Sequence, residues 1–336
     1  MRVLVTGGTG FVGLALAEEL ISSEHEVRLL APTSPAHLLR DPALAGAEVN
    51  IGDIRNAEVL EETLKGVDAV VHLAAITPDA RREKNDPARI VDVNVGGTAM
   101  LMQAVAQHAP GAKILLISSV AIYGTGDPVG HYWDEVRDKP APTSLYGITK
   151  QASEQVATHL ARLYGSDLLI ARLGPIFGPW EHDSGQRALQ SPQAQALTLA
   201  QSGREIILPR TLAGDWLYSR DAAIALAALL LADKPAFRLF NVGAGRTISV
   251  SDWCSAAAEH LPDLRWRLGD EGDTANVHLT LPRDRAALGI DRLRNILPGP
   301  ASRPLADCIS DHLAWMHEHR QAIAPSRGDK NEPSDC

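Results

Sequence analysis

The amino-acid sequence predicts an α/β protein: a doubly wound parallel sheet with helices on both faces, followed by a smaller C-terminal lobe. Three observations predict it. Apolar runs of strand length alternate with helical periodicity from Arg2 to Arg172. A glycine-rich turn joins the first strand to the first helix. After Gly174 the alternation loosens. In order, residues 2–6 (RVLVT) read as a buried strand, and 11–22 as a helix with Val12, Leu16 and Leu20 on one face. Strands are expected at 26–30 and 47–51, a helix at 57–64, a strand at 69–73 and a helix at 95–107. A strand at 113–118, a long helix at 145–164 and a strand at 168–172 complete the series. In the second half, 180–192 read as a polar loop and 240–242 as a short strand. Helices are expected at 194–201, 221–231, 251–260 and 305–319. The expected units are 1–173, a lobe over 174–322 with segments returning to the first unit, and a flexible tail over 323–336.

Composition narrows the class. A compact chain of 336 residues buries roughly three-quarters of its extended-chain surface and can build a core without staples. With 45% hydrophobic and 22% charged residues it is neither collagen-like nor wholly disordered. A formal charge of −9 disfavours nucleic acid as a partner. Cys254, Cys308 and Cys336 are too few and too scattered for a disulfide framework, and they lack zinc-ligand spacing. The apolar run at 222–232 is shorter than the ~20 residues of a membrane helix. Structure-like sequence begins at Arg2, so no signal peptide and a cytoplasmic location are expected.

The turn reads Thr6-Gly7-Gly8-Thr9-Gly10-Phe11-Val12-Gly13. Gly8, Gly10 and Gly13 fit G-x-G-x-x-G, and Gly7, Gly10 and Gly13 fit G-x-x-G-x-x-G. Such glycines permit a tight turn, close approach of backbone to a pyrophosphate and close helix–strand packing. The helix that starts at Phe11 and Val12 offers free N–H groups and a positive dipole end to phosphates. Placed between strand and helix, this is a Rossmann-type dinucleotide turn. The acidic residue expected ~20 positions on, for the ribose hydroxyls, is missing from Leu29-Leu30-Ala31-Pro32-Thr33-Ser34. Without it a 2′-phosphate would not be repelled. Thr33 and Ser34 suit either cofactor, and Arg28 and Arg40 are near in sequence, so NAD and NADP both remain open.

Tyr146 and Lys150 stand four apart on an expected helix and share a face. An ammonium beside a phenol stabilises the phenolate, and such a tyrosine can move a proton on a substrate oxygen. Alone, Y-x-x-x-K describes an incidental surface pair. Here a strand ending at Ser118-Ser119 lies upstream, and the glycine turn precedes both.

These residues resemble the extended short-chain dehydrogenase/reductase family, which includes nucleotide-sugar epimerases, dehydratases and dehydrogenases. The matching segments are TGGTGFVG at 6–13, GDI at 52–54, HLAA at 72–75, NVGGT at 94–98, SSVAIYG at 118–124, YGITK at 146–150, RLGPIFGP at 172–179 and DWLYSRD at 215–221. The resemblance implies that Gly7, Gly10, Phe11, Val12 and Gly13 hold the cofactor diphosphate. It places Asp53 and Ile54 at the adenine, and Ala74 and Ala75 along the cofactor groove. Asn94 would support the helix and proton network behind the site. Ser119, four residues before the tyrosine of the Tyr123-Gly124 pair, would be the catalytic hydroxyl. Tyr146 would be the general acid/base. Lys150 would bind the nicotinamide ribose and depress the pKa of Tyr146. Family members often dimerise through two helices per subunit, here the segments 94–108 and 146–164, so a homodimer is expected by analogy.

Departures restrict the reaction. Ser119 is followed by Val120 and Ala121, where sugar dehydratases and decarboxylases of the family carry acids. Pro175 stands where many nucleotide-sugar enzymes carry asparagine, and Gly214 where they often carry arginine. Arg210 or Arg187 is the available substitute. In the loop WEHDSGQR (180–187), Arg187 suits a carboxylate held bidentately and His182 suits hydroxyls, against the alternative of an exposed polar loop. Arg81-Arg82 reads as a solvated loop face, Trp216 and Tyr218 as packing residues, and no metal is assigned. The leading expectation is an NAD(P)-dependent oxidoreductase acting on a small sugar, sugar acid or related polyhydroxylated molecule. A sugar or nucleotide-sugar epimerase with transient oxidation is the alternative, and a non-catalytic NAD(P) sensor the third.

Overall fold

The computed structural model describes residues 1–279, 283–297 and 299–323, so all but the first residue of the expected tail lies outside them. The chain runs β1 (Arg2–Thr6), α1 (Phe11–Ser22), β2 (Glu26–Ala31), β3 (Glu48–Ile51), α2 (Ala57–Leu64) and β4 (Ala69–His72). Then come α3 (Ala80–Asn85), α4 (Pro87–Val91), a π-helical turn (Asp92–Gly96), α5 (Gly97–His108), β5 (Lys113–Ser119), α6 (Leu145–Tyr164) and β6 (Leu168–Leu173). The sequence expectation missed α3 and α4, because ARREKN carries no apolar periodicity.

The rest comprises β7 (Ile176–Phe177), α7 (Pro192–Gln201), β8 (Ile206–Leu208), β9 (Leu217–Tyr218), α8 (Ser219–Leu231) and β10 (Leu239–Val242). It ends with α9 (Val250–His260), β11 (Trp266–Leu268), α10 (Asp291–Arg294) and α11 (Leu305–Ile323). The main sheet has the order β10-β6-β5-β4-β1-β2-β3, and its neighbours all pair in parallel. Strand order reverses at β1, which leaves a crevice at the carboxyl ends of β1 and β4. β10 lies in this sheet, so the chain returns to it after leaving at β6.

The central strands feed two cores, as strands covered on both faces must. Val3 and Val5 pack with α1 and α8, while Leu4 packs towards α2, α5 and α6. The run 222–232 is the buried core of α8 and not a membrane span. Among the described residues no helix is long and apolar enough to cross a membrane. A third cluster, from α7, α9, α11, β8 and neighbouring loops, forms the core of the C-terminal lobe. It includes Trp216, Trp253 and the free cysteines Cys254 and Cys308, whose thiols burial pushes up to about 12.

Asp215, from the expected lobe motif, is a structural tie. Its carboxylate accepts from the backbone N–H groups of Ala244, Gly245 and Leu288 at 2.5, 3.2 and 2.8 Å. Tyr123 and Arg172 also act structurally. Arg172 pairs with Glu154 at 2.8 Å, and the Tyr123 hydroxyl donates to Asn241 Oδ1 at 2.8 Å. Trp216 is buried, with its indole donating to the Leu212 carbonyl.

His72 closes β4, buried between Thr6 Oγ1 at 2.7 Å and Thr98 Oγ1 at 3.0 Å. Burial, aided by the charge of Lys150, lowers its pKa to about 3. Burial likewise lowers His312 to about 4. The unfolded chain takes up these protons below about pH 6.5 and the folded chain does not. Stability therefore falls as pH drops from about 6.5 towards 4, by up to ~1.4 kcal/mol per pH unit for each group. Urea unfolding across that range is expected to show the slope, and His72→Gln to flatten it by one such increment.

Candidate active site

The crevice holds a cleft of about 350 Å³. Its floor is the glycine turn. Gly7 sits at φ +69°, and a Cβ there would lie 2.8 Å from the Ala74 nitrogen. A Cβ on Gly13 would lie 2.6 Å from the carbonyl oxygens of both Gly7 and Gly8, so α1 starts in contact with the turn itself. Gly10 caps α1 with no side-chain hydrogen bond. The first N–H groups of α1 are thereby left for a ligand. Gly7, Gly10, Phe11, Val12 and Gly13 all line the cleft. Gly8 does not: its Cβ would strike Val5 O and Leu29, so it is a packing glycine.

Asp53 and Ile54 line one end, and Ala74 and Ala75 the wall between. Arg55 holds the Asp53 carboxylate at 2.5 Å, which with its backbone N–H keeps that group below its usual pKa. The edge after β2 is Ala31, Pro32 and Thr33, with the Thr33 carbonyl accepting from Thr9 Oγ1 at 2.8 Å. Arg28 is spent elsewhere, on Glu48 and the carbonyls of Thr63 and Lys65.

Ser119, Tyr146 and Lys150 line the same cleft. Helix α6 delivers the last two. Its first turn is capped by Ser144 Oγ, which accepts from the Gly147 N–H, and its end is set by Gly165 in the left-handed conformation. Lys150 is buried and donates to the Ile117 carbonyl at 2.8 Å, with Nζ 5.9 Å from the centroid of the Tyr146 ring. Ser119 Oγ accepts from the Ala121 N–H at 3.1 Å. The buried Ser118 hydroxyl, on the same wall, has no hydrogen-bond partner in the protein.

Asn94 is the one expected cofactor residue that does not line the cleft; it braces the wall from behind. It exchanges hydrogen bonds with both backbone groups of Ile76 and donates to Thr149 Oγ1 at 3.0 Å. The π-helical turn around it leaves the Asn94 carbonyl free to accept from Thr98 and Ser153.

Pro175, His182 and Arg187 also line the cleft. The expected carboxylate-binding role of Arg187 is revised by its surroundings. Its Nη1 donates to the buried Glu181 carboxylate at 2.7 Å, and its guanidinium lies 5.6 Å above the Phe11 ring. It thus stands over the first residue of α1. His182 is likewise committed: Nδ1 is 2.9 Å from the Trp180 carbonyl and the ring also meets the Thr9 backbone, while burial lowers its pKa.

Residues 180–188 form a loop, as expected, but one that is tied down as a strap along the cleft, with His182, Ser184, Gln186 and Arg187 lining it. Thr77 donates to the Gln186 carbonyl and accepts from the Ala188 N–H. Trp180, buried at φ +72°, donates its indole N–H to Glu18. Arg81 and Arg82 lie on α3 and not in a loop; neither is buried, and Arg82 donates to the Gly185 carbonyl at 2.9 Å. Thr77 and Glu181 went unassigned in the sequence because no spacing pattern marks residues whose partners lie within an irregular loop. Among the described residues no cluster suits a metal ion.

Known proteins carry the same pattern. The model of the NAD dependent epimerase/dehydratase family matches residues 3–243. The chain belongs to that family. Similar proteins include dTDP-L-rhamnose 4-epimerase of Burkholderia thailandensis, 29% identical over 86% of this chain and 90% of that one. UDP-glucose 4-epimerase of Streptomyces lividans is 30% identical over 75% and 78%. Among solved structures, MoeE5 in complex with UDP-glucuronic acid and NAD is 25% identical, with a TM-score of 0.75 and coverage of 95% and 99%. This member of the NAD dependent epimerase/dehydratase family is therefore an NAD(P)-binding enzyme with a Rossmann-type sheet.

Replacing Asn94 by Ala strips partners from both buried backbone groups of Ile76. The expected cost is about 2–4 kcal/mol of folding stability, measured by urea denaturation.

Proposed function

We propose that the enzyme oxidises a secondary alcohol of a small sugar, sugar acid or related polyhydroxylated substrate, using Ser119, Tyr146 and Lys150. The observation that supports this reading is that those three side chains line the same cleft as the glycine turn. When bound, the nicotinamide supplies the hydride acceptor. Tyr146 Oη takes the hydroxyl proton, and Ser119 Oγ hydrogen-bonds the same substrate oxygen. Lys150, fixed by the Ile117 carbonyl, places its ammonium beside Tyr146 and favours the phenolate during transfer. The uncapped start of α1 and the close approach at Gly7 both suit a dinucleotide.

Dehydration and decarboxylation are disfavoured on the same geometry. Among the described residues lining the cleft, Asp53 is the only carboxylate, and it lies at the far end, bound to Arg55. Val120 and Ala121, next to Ser119, exchange no protons. The relatives named above are enzymes and complexes of dTDP- and UDP-linked sugars; in this chain Pro175 and Gly214 replace anchoring side chains and Arg210 pairs with Asp284, which supports a free sugar instead. The wall at Ala31, Pro32 and Thr33 suits NAD and NADP alike.

The second reading is an epimerase that returns the hydride to the substrate. The strap favours it, because a covered cofactor stays through the turnover. It also accords with the epimerase relatives. Incubating the protein with NAD⁺ or NADP⁺ and a panel of aldonic acids, uronic acids, aldoses and UDP-sugars separates the two. Net reduced cofactor supports the dehydrogenase; sugar isomers without net reduction support the epimerase. In either case Tyr146→Phe is expected to lower kcat about 10²–10⁴-fold while cofactor binding persists. Unchanged turnover in that variant overturns both readings.

A further inference from the structure

The strap brings a cation to a place the expected glycine turn alone does not supply. Arg187 reaches the cleft from beyond β6, and its guanidinium stands over Phe11, the first residue of α1. That is the turn whose free N–H groups and close backbone would receive a dinucleotide's diphosphate. Its Nη1 is held by Glu181, and Glu181 is itself fixed by the Ser191 N–H and hydroxyl, both at 2.5 Å. The guanidinium is thus pre-oriented, with its side chain still 31% exposed to the cleft. Thr77, on the opposite wall, is tied to the strap on both sides of Arg187, through Gln186 and Ala188. Arg82 fastens the same strap at Gly185.

We propose that Arg187 is a ligand of the cofactor's diphosphate, and that residues 180–188 form the second wall of the dinucleotide site. A fixed guanidinium binds phosphate oxygens through more than one N–H, and its charge adds to the positive end of α1. Glu181 is the positioning residue. The strap does two things at once: it closes the cleft beside Pro175 and His182, and it slows the departure of the cofactor.

This inference rests on the dinucleotide reading of the cleft, and its test separates the two. Binding of NADH and of ADP-ribose, which carries the diphosphate without the nicotinamide, is measured by fluorescence titration and by calorimetry, respectively. If the unaltered protein binds neither NADH nor NADPH, the dinucleotide reading itself fails. If it binds, Arg187→Ala is expected to weaken NADH and ADP-ribose by the same factor, about ten- to a hundredfold. It is also expected to speed NADH dissociation in stopped flow, and Arg187→Lys to recover part of the loss. ADP-ribose affinity within twofold of the unaltered protein overturns the proposal, including the case where only the substrate KM rises. Should Arg187→Ala fail to fold, Arg187→Gln keeps a donor for Glu181 and carries the same comparison.

Discussion

Gly13 has no room for a side chain, and much of the molecule follows from that. Its Cα lies against the carbonyls of Gly7 and Gly8, so α1 must begin where β1 ends. That contact aims the uncapped start of α1 into the crevice between β1 and β4. It also sets the slope of α1 across the sheet, where α8 packs beside it. A Cβ at position 13 would push the helix away from the turn. The crevice would widen, and the free N–H groups would no longer point at one spot. Close packing here serves binding first, and the core of Val3, Val5, Leu14 and Leu16 is built around it.

The second half of the chain is held to this frame by polar ties. Glu18 on α1 accepts from the Trp180 indole and pairs with Arg220 at 2.7 Å, and Arg220 also pairs with Asp311 on α11. Asp215 gathers three backbone N–H groups from two separate segments. Burial raises its pKa to about 6 against the pull of those donors, so its charge is retained at a cost. Removing the carboxylate would leave the three N–H groups without a partner, which is the larger penalty. The motif DWLYSRD therefore joins lobes. It does no chemistry of its own that the geometry supports.

Residues with regular periodicity were legible in the sequence. Helix α6 spans Leu145–Tyr164, the expected 145–164, because Ser144 and Gly165 are unambiguous start and stop residues. Helix α2 also matches its expected span of 57–64, with Asn56 as its cap. Tyr146 and Lys150 could be paired because helical spacing alone puts them on one face. The strap could not be read this way. Glu181, Arg187 and Ser191 look like solvated residues, and each is polar because the others are. Burial that depends on mutual satisfaction leaves no periodic trace. The same holds for Arg82, whose partners are a loop carbonyl and Gln186, more than 100 positions away. The π-helical turn at Asn94 has no composition signal either; it is visible only through the bonds its freed carbonyl accepts.

The strap also bears on what the residues proposed for catalysis can accomplish. Ser119, Tyr146 and Lys150 suit oxidation and reduction equally, since a proton acceptor in one direction is the donor in the other. The direction of net chemistry depends on whether reduced cofactor leaves before the substrate is reduced again. An open cleft allows exchange on every cycle. Here the cleft is lined by a segment tied at Thr77, Arg82 and Glu18, on three other parts of the chain, and at Ser191, just beyond it. Opening it means breaking several bonds together, not moving one side chain. Each added tie lengthens the residence of the cofactor relative to the chemical step, and so shifts the balance from dehydrogenase towards epimerase without altering a catalytic residue.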